Sequence, residues 1–192
     1  IDTEGAQIRS KVQVARKIKK NDKFYINRLN GNFCIYPDYV FSKFRKNDKI
    51  SIGFDNLKGQ IIKIEKEKIT LKCLNYGLLE TNKGIHVHNR KIKLDYLTKK
   101  DFKAIEIAKK YKIKNFALSF TNNCDDIKKF NHLLPAVNKY FKMETKEALK
   151  NFTQMKKLAN FFLIDRGDLS REIDISEIPV AQRFFFRNKN NK

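Results

Sequence analysis

Lys139-Tyr-Phe-Lys-Met-Glu144 is the stretch on which the reading of this chain turns. Lys139 to Met143 is a short strand candidate, and side chains two apart on a strand point the same way. Lys142 and Glu144 therefore share one face, while Met143 points to the other. Two similar runs flank it, Phe116-Ala-Leu-Ser-Phe120 upstream and Phe161-Phe-Leu-Ile164 downstream. The spacing between the runs is helical. Thr98-x-x-Asp101 reads as a capping box opening a helix, in which Phe102, Ile105, Ala108 and Tyr111 recur at helical intervals. Asp125 to Leu134 reads as a second helix. Leu149, Phe152, Met155 and Leu158 mark the face of a third, and Ile178 to Arg187 a fourth. Residues 95–187 thus alternate helix and strand, which implies parallel strands with helices outside.

Residues 11–80 follow a different rhythm. Lys49-Ile-Ser-Ile-Gly-Phe54 alternates, and Gln60–Ile64 and Lys68–Leu74 are short β-branched or apolar runs. Asn30-Gly31, Asn47-Asp48 and the stretch Asp55 to Gly59 are turn signals. Several short strands at close spacing predict a small barrel or sandwich. There is no internal repeat and no low-complexity segment.

Composition narrows the class. Of 192 residues, 41% are apolar and 33% charged, which suits a soluble globular protein. No apolar run approaches the roughly 18 residues that would span a bilayer, and no signal peptide is visible. Cys34, Cys73 and Cys124 lie far apart with no metal or redox spacing, which predicts a reducing, cytoplasmic compartment. The formal charge of +21 invites a nucleic-acid reading. The excess is split almost evenly between the two halves, with no basic tail or block, so it reads as a bias of the whole sequence. The start at Ile1 and the polar run Asn188 to Lys192 give both ends the look of a piece cut from a larger protein.

Two predicted strand ends carry chemistry, and in βα barrels function gathers at the carboxyl ends of strands. Lys142 and Glu144 stand at one. Asp165-Arg-Gly-Asp168 stands at the next. Glu144 and Asp168 on neighbouring strand ends suit one divalent cation, Mg²⁺ or Mn²⁺, with Lys142 beside it to stabilise charge on a phosphoryl group or an enolate oxygen. The blander alternatives stay open at this point: Lys-x-Glu arises on ordinary surfaces, and Arg-Gly-Asp-Leu as a surface turn. Arg9 reads as a phosphate contact or a surface charge. His86, His88 and His132 read as structural or surface residues.

Taken in order, these segments resemble the pyruvate kinase family. Ile1-Asp-Thr-Glu-Gly-Ala-Gln-Ile-Arg-Ser10 is similar to its Asp-Thr-Lys-Gly-Pro-Glu-Ile-Arg-Thr segment. Lys83-Gly-Ile85 resembles its Lys-Gly-Val, and Leu97-Thr-Lys-Lys-Asp101 its Leu-Ser/Thr-Glu-Lys-Asp. Phe116–Phe120 resembles its Ala-x-Ser-Phe strand. Lys142-Met-Glu-Thr-Lys-Glu147 resembles Lys-Ile-Glu-Asn-x-Glu, and Asn151-Phe152 falls where that family has Asn-Phe. Arg166-Gly-Asp-Leu-Ser170 resembles Arg-Gly-Asp-Leu-Gly, and Ala181-Gln182 matches Ala-Gln in the helix after it.

The resemblance implies an α/β fold: a partial (β/α)₈ TIM barrel with an inserted small β-barrel lid domain. Residues 1–10 would be the end of the third barrel strand and its loop, 11–85 the lid, and 86–192 strands four to six with their helices. It implies transfer of the phosphoryl group of phosphoenolpyruvate to ADP, giving pyruvate and ATP, with a lid that closes to exclude water. By position it assigns Lys142 as catalytic and substrate-binding, Glu144 and Asp168 to Mg²⁺ (or Mn²⁺), and Asp2 and Thr3 to K⁺. Gly167 and Asp168 fall to the substrate's carboxylate end, Arg9 and Lys83 to the nucleotide. It also implies a homo-tetramer, with neither membrane nor nucleic acid as partner. Several positions depart from the family pattern. Ala6 replaces Pro, Thr145 and Lys146 replace Asn-His, Ala148 replaces Gly, Asp165 replaces Ala, Ser170 replaces Gly, and Arg171 stands at an apolar position. The competing readings are a pseudoenzyme that keeps only the fold, a Mg²⁺-dependent aldolase or lyase acting on enolates, and a basic nucleic-acid-binding module.

Overall fold

The computed structural model describes residues 1–53 and 56–187. Phe54 of the first predicted strand, Asp55 of the predicted turn, and the polar run 188–192 lie outside them. The chain forms two compact units, Gln7–Leu94 and a second made of residues 1–6 with 95–192.

The unit Gln7–Leu94 is antiparallel. Its strands are β1 (Ile8–Val12), β2 (Arg16–Ile18), β3 (Lys23–Asn27), β4 (Phe33–Tyr36), β5 (Lys49–Ile52), β6 (Leu57–Ile64), β7 (Lys68–Cys73), β8 (Gly77–Leu79) and β9 (Gly84–Val87). Seven of them form one sheet in the order β3-β7-β6-β5-β9-β1-β4, and β2 pairs with β8. The sheet nearly closes on itself. At its two edges the rings of Phe24 and Phe33 stack 6.4 Å apart, and Asn27 Nδ2 donates to Phe33 O at 3.3 Å. Between the alternatives of barrel and sandwich, the barrel is what forms. Its interior is packed with Phe24, Ile26, Phe33, Ile50, Leu57, Ile61, Ile69 and Leu71, all at most 1% exposed.

This unit is wider than the 11–85 span expected for the lid, because β1 hydrogen-bonds on both sides, to β4 and β9, and Ile92 and Leu94 pack on the same core. Residues 8–10 thus belong to the antiparallel sheet. Three local readings need correction. Leu57 to Gly59 are strand, not turn. Gly59 is there because β6 passes under Phe24, where a Cβ would come within 2.8 Å of the ring. Ser51 is buried although alternation would expose it, since β5 lies in mid-sheet between β6 and β9. Asp38–Lys43 is a 3₁₀ helix, burying Val40 and Phe41.

The second unit is parallel. β10 (Asn115–Leu118), β11 (Asn138–Met143) and β12 (Phe162–Ile164) form its sheet in that order, and Asp2 makes a parallel bridge to Ala117 on the free side of β10. The helices are α1 (Lys99–Lys110), α2 (Cys124–Leu133), α3 (Lys146–Met155), the single turn α4 (Arg166–Leu169) and α5 (Ile178–Arg187). Phe116, Leu118, Phe141 and Met143 turn to one face of the sheet and pack with Ile127, Phe130, Phe152 and Phe185 from the helices. Ala117, Tyr140, Lys142 and Leu163 line a groove on the other face with Ile1 and Asp2. The helix-and-strand alternation read from 95–187 is therefore realised, with the short α4 and a 3₁₀ turn at Ile175–Glu177 added. Phe102 and Tyr111 are exposed, against the predicted stripe. The buried face of α1 is Asp101, Ile105 and Ala108. Leu158 falls beyond the end of α3. Among the described residues no helix is long and apolar enough to cross a membrane.

Asp101 does more than cap. Thr98 Oγ1 accepts from the Asp101 amide at 3.2 Å, and the carboxylate accepts from the Thr98 amide at 2.8 Å and hydroxyl at 2.9 Å. The same carboxylate also accepts the amides of Glu4 at 2.7 Å and Gly5 at 3.2 Å. Gly5 approaches closely and with φ +65°, and a Cβ there would lie 2.3 Å from Ser119 O. The N-terminal segment is thereby fixed to the start of α1. Replacing Asp101 with Ala should cost about 3 kcal/mol, because buried donors lose a charged acceptor. The measurement is the urea midpoint, and Thr98→Ala, which loses only the cap, should cost about 1 kcal/mol.

Candidate active site

β11 ends at Met143, and its pleat does what the sequence predicts. Met143 is fully buried against the helices, while Lys142 points from the opposite face. Lys142 Nζ lies 3.2 Å from Asp2 Oδ2, 3.1 Å from Glu144 Oε1 and 3.6 Å from Asp165 Oδ2. One ammonium thus faces three carboxylates. Burial alone would lower the Lys142 pKa, but Glu144 and then Asp2 outweigh it, and the net shift is upward.

Glu144 is the most deeply placed of these acids, its side chain 1% exposed. Oε2 accepts the amide of Phe120 at 2.5 Å. That amide is aimed by the turn after β10, where Phe120 takes φ +53°, a conformation non-glycine residues seldom adopt. Oε1 is buried, and its partner is the Lys142 ammonium at 3.1 Å. Burial lifts the Glu144 pKa to about 7. The Phe120 amide and Lys142 pull against that rise, and Asp168 adds to it.

The next strand end, after β12, brings Asp165 and Asp168. Asp165 caps α4: its Oδ1 accepts the amides of Gly167 at 3.1 Å and Asp168 at 3.4 Å. One oxygen each from Glu144, Asp165 and Asp168 gather within 4.8 Å of one another. Asp168 also pairs with Arg171 at 3.5 Å. The N-terminal segment supplies the other wall. Ser119 Oγ donates to Asp2 Oδ1 at 3.0 Å, and the Ser119 amide donates to Thr3 Oγ1 at 3.0 Å. Behind the strand ends, Asn122 ties the loop after β10 to α3. It accepts the Thr145 hydroxyl on Oδ1 and the Asn151 side chain on its backbone oxygen, the latter at 2.8 Å.

The structure therefore brings Asp2, Thr3, Lys142, Glu144, Gly167 and Asp168 together within one unit. Arg9 and Lys83 belong to the antiparallel unit and lie near each other there. Arg9 pairs across the ladder with Gly84, and its Nη1 donates weakly to Asn82 O and Oδ1 at 3.4 Å each. Arg9 Nε is buried without a hydrogen bond. Lys83 Nζ pairs with Glu80 at 3.4 Å. Sequence reasoning missed Ser119 and the Phe120 amide as site members. The only signal for them was their place in the Ser-Phe dipeptide at a strand end. It marked Asp165 only as a departure from the family's Ala, not as the cap that already engages the Gly167 and Asp168 amides. His86 and His88 contact each other edge-on with centroids 4.9 Å apart, in the antiparallel unit.

A parallel βα sheet with a lysine and three carboxylates at its carboxyl edge, in one chain with a small antiparallel barrel, defines a βα-barrel type of protein carrying an inserted β domain. Residues 1–192 match the family model described as "Pyruvate kinase, barrel domain", and the chain belongs to the pyruvate kinase family. It is 24% identical to the pyruvate kinase of Chlamydia muridarum over 97% of its own length and 41% of that protein's. It is 27% identical to that of Methanocaldococcus jannaschii over 99% and 42%. The fold superposes on the crystal structure of Cryptosporidium parvum pyruvate kinase with a TM-score of 0.86 at 22% identity, covering 97% of this chain and 43% of that one. The chain thus spans about two fifths of the length of the curated relatives it matches.

The buried Glu144 makes stability depend on pH. Its folded pKa, about 7, is raised above the 4.5 of a free glutamate. Between these values the folded state keeps a proton that the unfolded state has released. Stability therefore falls as pH rises through that window and stays lower above it. The full span is worth roughly 3 kcal/mol. With a chelator present, Glu144→Gln should flatten the dependence of the urea midpoint on pH between about 4.5 and 7 and raise stability at pH 8. A variant with the parent's slope would place the titrating group elsewhere.

Proposed function

We propose that this chain carries part of the active site of a pyruvate kinase, which moves the phosphoryl group of phosphoenolpyruvate to ADP. The P–O bond to the enolate oxygen breaks, a bond to the terminal oxygen of ADP forms, and the enolate takes a proton to become pyruvate. The observation that carries the reading is Lys142. Its ammonium is fixed at a strand end among carboxylates, at the position of the family's catalytic lysine. It stabilises the phosphoryl oxygens in flight and then the enolate oxygen.

Glu144 and Asp168 fit a divalent cation: both offer hard oxygen donors, and one oxygen of each lies within 4.8 Å of the other. Mg²⁺ or Mn²⁺ bound there supplies charge neutralisation to the substrate's oxygens. The Asp2 carboxylate and oxygen atoms of Thr3 are assigned to K⁺. Gly167 and Asp168 are assigned to the carboxylate end of phosphoenolpyruvate, which requires Asp165 to share or yield their amides. Arg9, with its buried unbonded Nε, and Lys83 are assigned to the phosphates of ADP. A cytoplasmic, tetrameric glycolytic enzyme completes the reading, on family membership.

The test is pyruvate release by the full-length protein from phosphoenolpyruvate and ADP, with Mg²⁺ and K⁺. Lys142→Ala should lower kcat by about a thousandfold, since it removes a charge aimed at the transferring group. Arg9→Ala should raise KM for ADP far more than KM for phosphoenolpyruvate. No turnover under these conditions, or a Lys142→Ala protein as fast as the parent, would sink the proposal.

A further inference from the structure

We propose that Asp165 is a third carboxylate ligand of the divalent-cation site, giving this chain three protein oxygens where the resemblance assigns two. This rests on the metal reading above and deepens it.

Three observations carry the inference. First, one oxygen of Asp165 lies within 4.8 Å of oxygens of both Glu144 and Asp168, a spread that one cation can bridge. Divalent cations that prefer oxygen bind at about 2.0–2.6 Å, so donors facing each other across such an ion sit roughly 4–5 Å apart. Second, the deepest member of the set, Glu144, is 1% exposed, and its Oε1 is met by the Lys142 ammonium at 3.1 Å, which it shares with Asp2. A buried carboxylate whose one cation is shared in this way is under-compensated, and a bound metal ion would offset it. Third, the two oxygens of Asp165 are turned to different tasks. Oδ1 accepts the Gly167 and Asp168 amides, and Oδ2 points back to Lys142 at 3.6 Å. The cap holds the side chain in place, and its second oxygen is delivered to the site. Lys142 does not balance the charge, because it is shared with Asp2 and Glu144.

The two roles of Asp165 separate by substitution. Asparagine is as good a helix cap as aspartate, so Asp165→Asn keeps the cap and removes the charge. Asp165→Ala removes both. The probe is Mn²⁺ alone, titrated into the full-length protein and followed by the loss of the free-ion electron paramagnetic resonance signal, with circular dichroism to verify folding. Asp165→Asn and Asp165→Ala should each weaken Mn²⁺ binding by about tenfold, because oxygen sites are tuned by the number of charged ligands. Glu144→Gln should weaken it at least as much. If Asp165→Asn binds Mn²⁺ as tightly as the parent while Glu144→Gln does not, Asp165 is a cap only and the inference falls, with the two-carboxylate site intact. If the parent shows no saturable Mn²⁺ binding, or Glu144→Gln leaves it unchanged, the metal reading itself falls and the inference with it.

Discussion

The carboxylate of Asp101 holds the parallel unit in working order. It is buried, and it collects backbone amides from two places nearly one hundred residues apart, Thr98 on its own helix and Glu4 and Gly5 at the start of the chain. A buried charge with several matched donors is a strong and directional tie. What it ties is the short segment that carries Asp2 and Thr3. Held there, the segment bridges β10 at Ala117 and meets Ser119. Asp2 then reaches Lys142, which Glu144 and Asp165 also meet. Loosening Asp101 removes one wall of the site without touching a residue that faces the groove.

Glu144 shows the opposite use of burial. Its single firm hydrogen bond, from Phe120, and its partial share in Lys142 do not offset the loss of water, and its pKa rises to about 7. The surroundings are also conformationally costly, since the amide that serves it sits in a left-handed turn at a phenylalanine. Unfavourable charge and backbone strain thus stand together at these strand ends, and the proposed cation would offset the charge. Bound positive charge on the carboxylates would reverse the sign of the Glu144 effect and leave the strain in place as preorganisation.

How much of this was legible follows from the range of each interaction. The period of two along β11 set Lys142 and Met143 on opposite faces, and the structure keeps them there. The Thr98–Asp101 box was legible because both halves lie within one helical turn. The second use of Asp101 was not, because its partners Glu4 and Gly5 leave no pattern near residue 101. Ser119 and Phe120 escaped for a related reason: they act through a backbone amide and a turn geometry, neither of which is written in a side-chain type. Phe102 and Tyr111 misled because helical spacing fixes a stripe but not which stripe faces the core. Gly59 misled because a glycine that makes room for Phe24 looks like a turn glycine until the ring above it is seen.

Charge carries the same lesson on a larger scale. A formal +21 reads as a nucleic-acid signal only if the cations gather, and along the sequence they form no basic block. What matters is where a cation is desolvated and whether its partners match it. In the antiparallel unit, Arg90 meets the buried Asp48 through two parallel bonds, Nε to Oδ1 at 2.8 Å and Nη2 to Oδ2 at 2.7 Å, and the Arg45 amide fills a further position at 2.8 Å. That pair is matched one to one, and it locks β5 to the segment following β9. Lys142 is desolvated to a similar degree, but one positive charge faces three negative ones. A matched buried pair is complete within the fold. The mismatched cluster carries an excess of negative charge at the mouth of a parallel sheet, and the chemistry that satisfies such a cluster is a cation. The same count that completes Arg90 and Asp48 within the fold leaves Lys142 and its three acids uncompensated, which supports the cation site proposed above.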